Sequence, residues 1–323
     1  MIGLLLTVYG VSEGEELTGP IVESNVPTKR LRIVVGIATA RRKDVLSQML
    51  GWLSQQSRAP DCLIVCRTAS EDVDESALKR FEETILINSD RAGSCSQRNQ
   101  IIARSGDADI IAYFDDDFFP ERDYLKNLEL LFLENPDIVA ATGVLMADGA
   151  QGPGISVEKG HEMARNLEPR PAGGRIDDNY GTYGCNMSFR LAPILKNNLL
   201  FDENLPLYGW QEDIDFSVQL APFGRIIKSD LLRGIHLGIK MGRTSGLRFG
   251  YSQISNPVYL IRKGTMSWQH ARKLMWRNLA ANIAGSLRPE PWIDRRGRLR
   301  GNLLALSDLA RGRISPARIL HLD

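Results

Sequence analysis

Between residues 31 and 114 the hydrophobic positions fall into short unbroken runs, separated by stretches where they recur every three or four residues. LRIVVGIAT (31–39), CLIVC (62–66), TILIN (84–88) and DIIAYF (109–114) are apolar, rich in β-branched residues and almost free of polar alternation. Runs of that kind suit strands covered on both faces, as in parallel sheets. Between the first two, Val45, Met49, Trp52 and Leu53 repeat at helical spacing in DVLSQMLGWLSQQ, with Asp44 as a candidate cap. ESALKRFEE and SCSQRNQIIARSG read as two more helices. Strands alternating with helices of about ten residues predict right-handed crossovers. The expected fold is therefore α/β, a doubly wound and mainly parallel sheet flanked by helices.

Beyond residue 114 the alternation weakens. Residues 147–182 are rich in Gly and Pro and read as a loop able to close over a site. GTYGCNMSFR, a helix candidate from Ala192 to Asn197, and YGWQEDIDFSVQLAPFG follow. The expected organisation is a loose leader (1–30), one large domain (31–263, with halves 31–146 and 147–263) and a basic, helical C-terminal extension (264–323). The start, MIGLLLTVYG, lacks the basic region of a secretory signal.

Composition changes this picture little. Of 323 residues, 43% are hydrophobic and 24% charged, an ordinary globular mixture with material for a sizeable core. A net charge of +1 gives the whole molecule no bias toward nucleic acid. The four cysteines form no CxxC pair, which suits free thiols in a reducing compartment. No apolar run reaches the roughly 18–20 residues of a membrane span. The expected location is cytoplasmic, with peripheral attachment to the inner face of the membrane. The extension points that way: eleven Arg and Lys residues from Arg272 to Arg318 face only four acids, with Trp268, Trp276 and Trp292 interleaved. Such a segment fits a surface packed on the domain, attraction to an anionic membrane or nucleic-acid binding, the last finding no matching basic surface on the rest of the chain.

The candidate chemistry lies in two acidic groups. Asp115, Asp116 and Asp117 directly follow the fourth apolar run, so they sit at the carboxyl end of a strand, where open α/β sheets bind ligands. On an extended backbone Asp115 and Asp117 share one side and Asp116 faces the other. Carboxylate oxygens suit Mg²⁺ or Mn²⁺, both of which leave positions open for phosphate oxygens. The same triplet also fits a solvated turn. Glu212 and Asp213 open a helix whose apolar face is read as Ile214, Phe216 and Val218. Acids there favour the helix dipole, but paired with a metal-ready triplet they also fit a general base.

Five segments in this order, VVGIATARR, GSCSQRN, YFDDD, GTYGCNMSFR and GWQEDIDF, resemble the family 2 inverting glycosyltransferases of the GT-A type. The resemblance runs from about Leu31 to Lys263. It implies a nucleotide-sugar donor, a divalent cation (Mg²⁺ or Mn²⁺) and transfer to an acceptor hydroxyl with inversion. By position, Asp115 would touch the ribose, Asp117 would ligate the metal, and Asp116 would lie beside the donor. Thr39 and Arg41 would line the nucleotide pocket, Arg98 would contact the donor, and Asn99 would hold the loop backbone. Asp213 would be the catalytic base, Glu212 would help place the acceptor, and His236 would be a further metal contact. One departure stands out. Where family members place a base-reading carboxylate after the second strand, this chain has Arg67 and Thr68, with Asp72 the nearest substitute.

The segment HLGIKMGRTSGLRFGYSQISNPVYLIRKGT is similar to transferases that build bacterial exopolysaccharides, which implies a glycan or lipid-linked sugar as acceptor. Two other readings stay open: a sugar nucleotidyltransferase, although ATARRKD lacks a glycine-rich phosphate loop, and a non-catalytic nucleotide- or sugar-binding protein. No GxGxxG follows the first strand, which argues against a dinucleotide-binding dehydrogenase.

Overall fold

In the computed structural model, residues 30–168, 173–241 and 244–322 are described, so the expected leader lies outside the described residues except for Arg30. The four apolar runs are strands β1 (Ile33–Thr39), β2 (Cys62–Arg67), β3 (Thr84–Asn88) and β4 (Ile110–Phe114). They are joined by helices α1 (Lys43–Leu53), α2 (Glu75–Leu78) and α3 (Ser94–Arg104). Helix α2 is a single turn rather than the longer helix expected across ESALKRFEE. The Asp74 carboxylate accepts from Ser76 N at 3.0 Å to start it, and the chain must then turn into β3 at Thr84.

After β4 come β5 (Phe118–Pro120), α4 (Tyr124–Glu134), β6 (Ile138–Asp148), α5 (Val157–Arg165), β7 (Ile176–Asp178), β8 (Asn186–Arg190), α6 (Leu191–Lys196), α7 (Glu212–Leu220) and β9 (Arg225–His236). The sheet runs in the order β3-β2-β1-β4-β8-β6-β9-β5, with β7 also on β9. Strands β3, β2, β1 and β4 are parallel, as expected. The second half mixes directions: β8 lies antiparallel between β4 and β6, and β6 and β9 form a long parallel pair broken by register shifts.

The stretch 147–182 is more structured than the expected loop. Among its described residues, Ser156 caps α5 by accepting from Lys159 N at 3.2 Å, and β7 adds a strand to β9. His161 of α5 stacks on both Trp52 and Phe119, with ring centroids 5.3 and 4.7 Å away, and those two rings also stack on each other at 5.8 Å. That contact fixes the segment against α1.

The strands alternate their side chains between two apolar layers. Ile33, Val35 and Ile37 face α1 and α4, while Val34, Ile64 and Ile111 face α3, α6 and α7. On α7 the buried positions are Glu212, Asp215, Phe216, Ser217 and Leu220, so of the expected Ile214–Phe216–Val218 face only Phe216 is buried. Spacings of three and four place those buried positions on one side of the helix.

The last part of the chain is helical, as expected: α8 (Gly246–Lys263), α9 (Trp268–Leu287), α10 (Arg295–Ala310) and a closing 3₁₀ turn (Pro316–His321). Ser245, Ser267 and Asp294 cap these helices by accepting from backbone N–H groups three residues on. A third apolar cluster, including Tyr251, Ile254, Ala305 and Ile319, joins α8 to α10 and the closing turn. Beside it Gln253, Asn282 and Asn302 form a buried amide network, in which Asn302 Nδ2 donates to Gly250 O at 2.6 Å.

Helices α8 and α10 cross with almost no separation. A Cβ at Gly301 would lie 2.2 Å from Leu247 O and 2.6 Å from Tyr251 N, both backbone atoms that cannot swing aside. Gly301→Ala gains up to about 1 kcal/mol of helix propensity but forces the helices apart, at about 1–3 kcal/mol. The expected net result is a lower urea midpoint with an unchanged slope, read by circular dichroism.

Candidate active site

The strand order reverses at β1, because the chain steps to β2 and β3 on one side and then to β4 on the other. A crevice opens at such a point, beyond the carboxyl ends of the strands. Thr39 ends β1 there, and the acidic triplet follows β4. Phe118 N donates to Asp115 O at 3.1 Å, which turns the chain tightly and splits the three carboxylates between two directions.

Asp116 faces β1. It accepts from Thr39 Oγ1 at 2.8 Å and from Arg42 Nη1 at 2.9 Å, and burial pushes its carboxyl up to about 6 against the pull of Arg42. Asp115 and Asp117 face His236 instead. Nε2 of His236 lies 3.4 Å from Asp117 Oδ1 and 4.0 Å from Asp115 Oδ2, while its Nδ1 is 2.8 Å from Asp148 Oδ1. Burial disfavours charge on this imidazole, but Asp117 and Asp148 outweigh it and raise His236 to about 10. For Asp117 burial pushes upward, and His236 with Arg42 brings the carboxyl down to about 2.

These groups fit a divalent cation. Asp115, Asp117 and His236 each offer a ligand atom, all within 4.8 Å of one another. Asp117 Oδ2 accepts from Ile239 N at 2.8 Å, whereas its buried Oδ1 accepts no hydrogen bond among the described residues and faces the His236 ring at 3.4 Å. A carboxylate oxygen held toward an imidazole, a second carboxylate and Asp148 behind the ring form the usual pattern of a metal ligand set. The oxygens suit Mg²⁺ or Mn²⁺.

The opposite wall carries the second acidic group. Glu212 is buried and takes a short hydrogen bond from Arg98 Nη1, while Arg98 Nη2 lies 3.6 Å from Asp115 Oδ1. One guanidinium therefore spans both acidic groups. Burial raises the Glu212 carboxyl to about 8, against the attraction of Arg98. Asp213 is raised by burial too; its oxygens accept from Gly184 N at 3.0 Å and Ile214 N at 2.8 Å. Asp213 lines the cleft and has no salt bridge among the described residues, which leaves it open toward a ligand. The cleft between the walls measures about 230 Å³ and is rimmed by Tyr183, Tyr208 and Trp210.

The structure brings Thr39, Arg98, Asp115, Asp116, Glu212, Asp213 and His236 to this cleft, with Asp117 buried just behind. Asn99 holds the neighbouring loop, donating to Phe201 O at 2.9 Å and accepting from Phe201 N at 2.8 Å. Arg41 is a correction. Its backbone turns left-handed (φ 59°) so that its N–H reaches Asp72 Oδ1 at 2.6 Å, and its side chain is exposed outside the cleft. Arg42 takes the inward position and also donates to Ile239 O and Met241 O at 3.0 and 3.1 Å.

Asp72 is committed to that loop, since its Oδ2 accepts from Thr68 N, Thr68 Oγ1 and Ala69 N. Arg67 is likewise engaged, donating to Asn88 Oδ1 at 2.7 Å and pairing with Glu75 at 2.9 Å. Sequence reasoning missed Arg42, Asp148 and Gln211. Gln211 lines the cleft from a left-handed backbone (φ 76°), with Oε1 buried and without a hydrogen bond among the described residues. Its position directly before Glu212 was the available signal.

No family model matches the chain. It is similar to the glucosyl-dolichyl phosphate glucuronosyltransferase of Haloferax volcanii, with 24% identity over 171 residues, 52% of this chain and 54% of that protein. The chain thus matches about half the length of that curated relative. Among solved structures, a mannosyltransferase from Pyrobaculum calidifontis, in complex with GDP-Man and Mn²⁺, superposes with a TM-score of 0.54. The match has 17% identity and covers 91% of this chain and 86% of that one. Residues 1–349 of S. aureus TarS, in complex with UDP-GlcNAc, superpose with a TM-score of 0.53 at 14% identity, covering 90% and 83%. GalNAc-T7 with UDP, GalNAc and Mn²⁺ gives 0.53 at 10% identity, covering 90% of this chain and 57% of that one. The mixed sheet, its flanking helices and these neighbours together make this a GT-A type fold.

Proposed function

We propose that this protein is a nucleotide-sugar-dependent glycosyltransferase that moves a hexosyl group onto an acceptor hydroxyl with inversion. The observation that carries the reading is the facing of two acidic walls across one cleft: Asp115 and His236, backed by the buried Asp117, on one side, and Asp213 on the other. The relative and the structural neighbours support it, since their names and complexes record sugar transfer, nucleotide sugars and, in two of them, Mn²⁺.

A divalent cation held by Asp115, Asp117 and His236 would act as a Lewis acid on the diphosphate, offsetting the charge that develops as the sugar leaves. Asp148 fixes the His236 ring, and Arg42 holds Asp116 and the 239–241 backbone in place behind the donor. Arg98 adds a fixed positive charge between donor and acceptor. Asp213 accepts the proton of the incoming hydroxyl as it attacks from the face opposite the leaving group, so no covalent intermediate on the enzyme is needed. Glu212, tied to Arg98, orients that wall. The acceptor in this reading is a growing glycan or lipid-linked sugar of a surface or exopolysaccharide, in keeping with the lipid-linked sugar in the relative's name.

A thermal-shift panel of nucleoside diphosphates and nucleotide sugars, each with Mn²⁺, Mg²⁺ or EDTA, tests the donor site. Ligand at a hundred times its dissociation constant stabilises the fold by about 2.7 kcal/mol. The expected result is a cation-dependent rise with one nucleotide. Absence of any rise across the panel removes the donor-site reading. Because Asp72 and Arg67 are both engaged elsewhere, the panel must include guanosine as well as uridine nucleotides.

A further inference from the structure

We propose that the exposed face of α9 is a docking surface for an anionic lipid bilayer. One side of this helix packs on the protein through Ala271, Leu274, Met275 and Asn282. The other side exposes Trp268 (59%), Trp276 (65%), Ile283 (48%) and Leu287 (81%). Their spacings of eight, seven and four residues keep them in one stripe about 100° wide. Arg272, Lys273, Arg277 and Arg288 are exposed within and beside that stripe, and none has a salt bridge among the described residues. Helix α9 has no acidic residue along its twenty positions.

Apolar anchors with unopposed cations fit the boundary of an anionic bilayer, where aromatic and aliphatic groups enter the headgroup layer and Arg and Lys meet phosphates. No helix among the described residues is long and apolar enough to cross a membrane, so α9 would lie in the plane of the surface. A second copy of this chain is a poorer occupant. Packing two α9 faces together brings cations against cations, with no acid on the helix to pair them.

The surface is tied to the acceptor wall. Thr265 Oγ1 and Lys263 Nζ donate to Asp215 of α7 at 2.6 and 2.7 Å, just before α9 begins, and Asn256 Nδ2 donates to Trp210 O at 2.9 Å. Docking through α9 would therefore hold the cleft beside the bilayer. Delivery of a lipid-linked acceptor there rests on the glycosyltransferase reading; the docking itself does not.

The test is sedimentation of the full chain with vesicles, without nucleotide or cation. One set is an equimolar mixture of phosphatidylglycerol and phosphatidylcholine, the other phosphatidylcholine alone. Binding to the anionic set only, with a blue shift of tryptophan fluorescence and loss at high salt, is expected. Arg272→Glu with Arg277→Glu, and separately Trp276→Ser with Leu287→Ser, should each weaken it roughly tenfold or more. All four side chains are exposed, and the donor thermal shift is expected to be the same in both variants. A lost donor shift in wild type with vesicle binding intact would overturn the enzymatic reading alone. Four results would overturn the docking: no vesicle binding, equal binding to both sets, binding that survives both pairs of substitutions, or a solution dimer that Trp276→Ser dissociates.

Discussion

Asp213→Asn is expected to lower turnover by roughly 10²–10⁴-fold, the usual contribution of a positioned base, while donor binding stays near wild type. The two effects separate because Asp213 stands on the wall opposite the metal ligand set and makes no contact with Asp115, Asp117 or His236 among its hydrogen bonds. The amide loses one of two acceptors for Gly184 and Ile214 N–H groups, worth about 1 kcal/mol of stability, too little to unfold a protein of this size. Steady-state rates together with nucleotide titration read both quantities. The wild-type pH profile offers an independent check. The base works only when deprotonated, so activity rises with pH through its folded pKa. Burial has raised that pKa, which places the acidic limb of kcat/KM above the ordinary aspartate value of about 4. A limb at or below 4, or an Asn variant with full activity, removes Asp213 from the mechanism.

Asp117→Asn is expected to be at least as severe, by a different route. The amide oxygen can still accept from Ile239 N, so the loop stays in place, but the second atom becomes a donor aimed at His236. A neutral amide also removes the strongest carboxylate ligand from the set. Losing a Lewis acid worth several kcal/mol corresponds to a rate loss of about 10³-fold or more. Here donor binding falls with turnover, and the cation-dependent part of the nucleotide's calorimetric signal disappears. Retention of cation-dependent binding by this variant would move the metal to other residues.

The first half of the fold was legible because its strands are covered on both faces and therefore read as unbroken apolar runs. Strands β6 and β9 escaped notice for the opposite reason. IVAATGVLMAD is buried at one end and half-exposed at the other, and RIIKSDLLRGIH carries four charged residues along its length. The site followed the same division. The triplet announced itself by sitting on an apolar run, whereas Asp148 and His236 are 88 residues apart and meet only through the pairing of β6 with β9. Arg41 and Arg42 are adjacent and alike, and a single left-handed residue decides which one faces the cleft. Side-chain type gave no means of choosing between them.

Asp215, completely buried, is held by Lys263 and Thr265 from the far side of the chain's last helical layer. This bears on modularity. Cutting at 263/264 would leave Lys263 but remove Thr265 and most of the apolar cluster that seats α8. Losing the Thr265 hydrogen bond to a buried carboxylate costs about 1.5–3 kcal/mol, and the lost apolar contacts of the cluster add to it, a large share of a typical domain's stability. The tail is thus not a detachable targeting module. A chimera meant to redirect the protein to a new surface or acceptor would have to exchange α7 through α10 as one cassette.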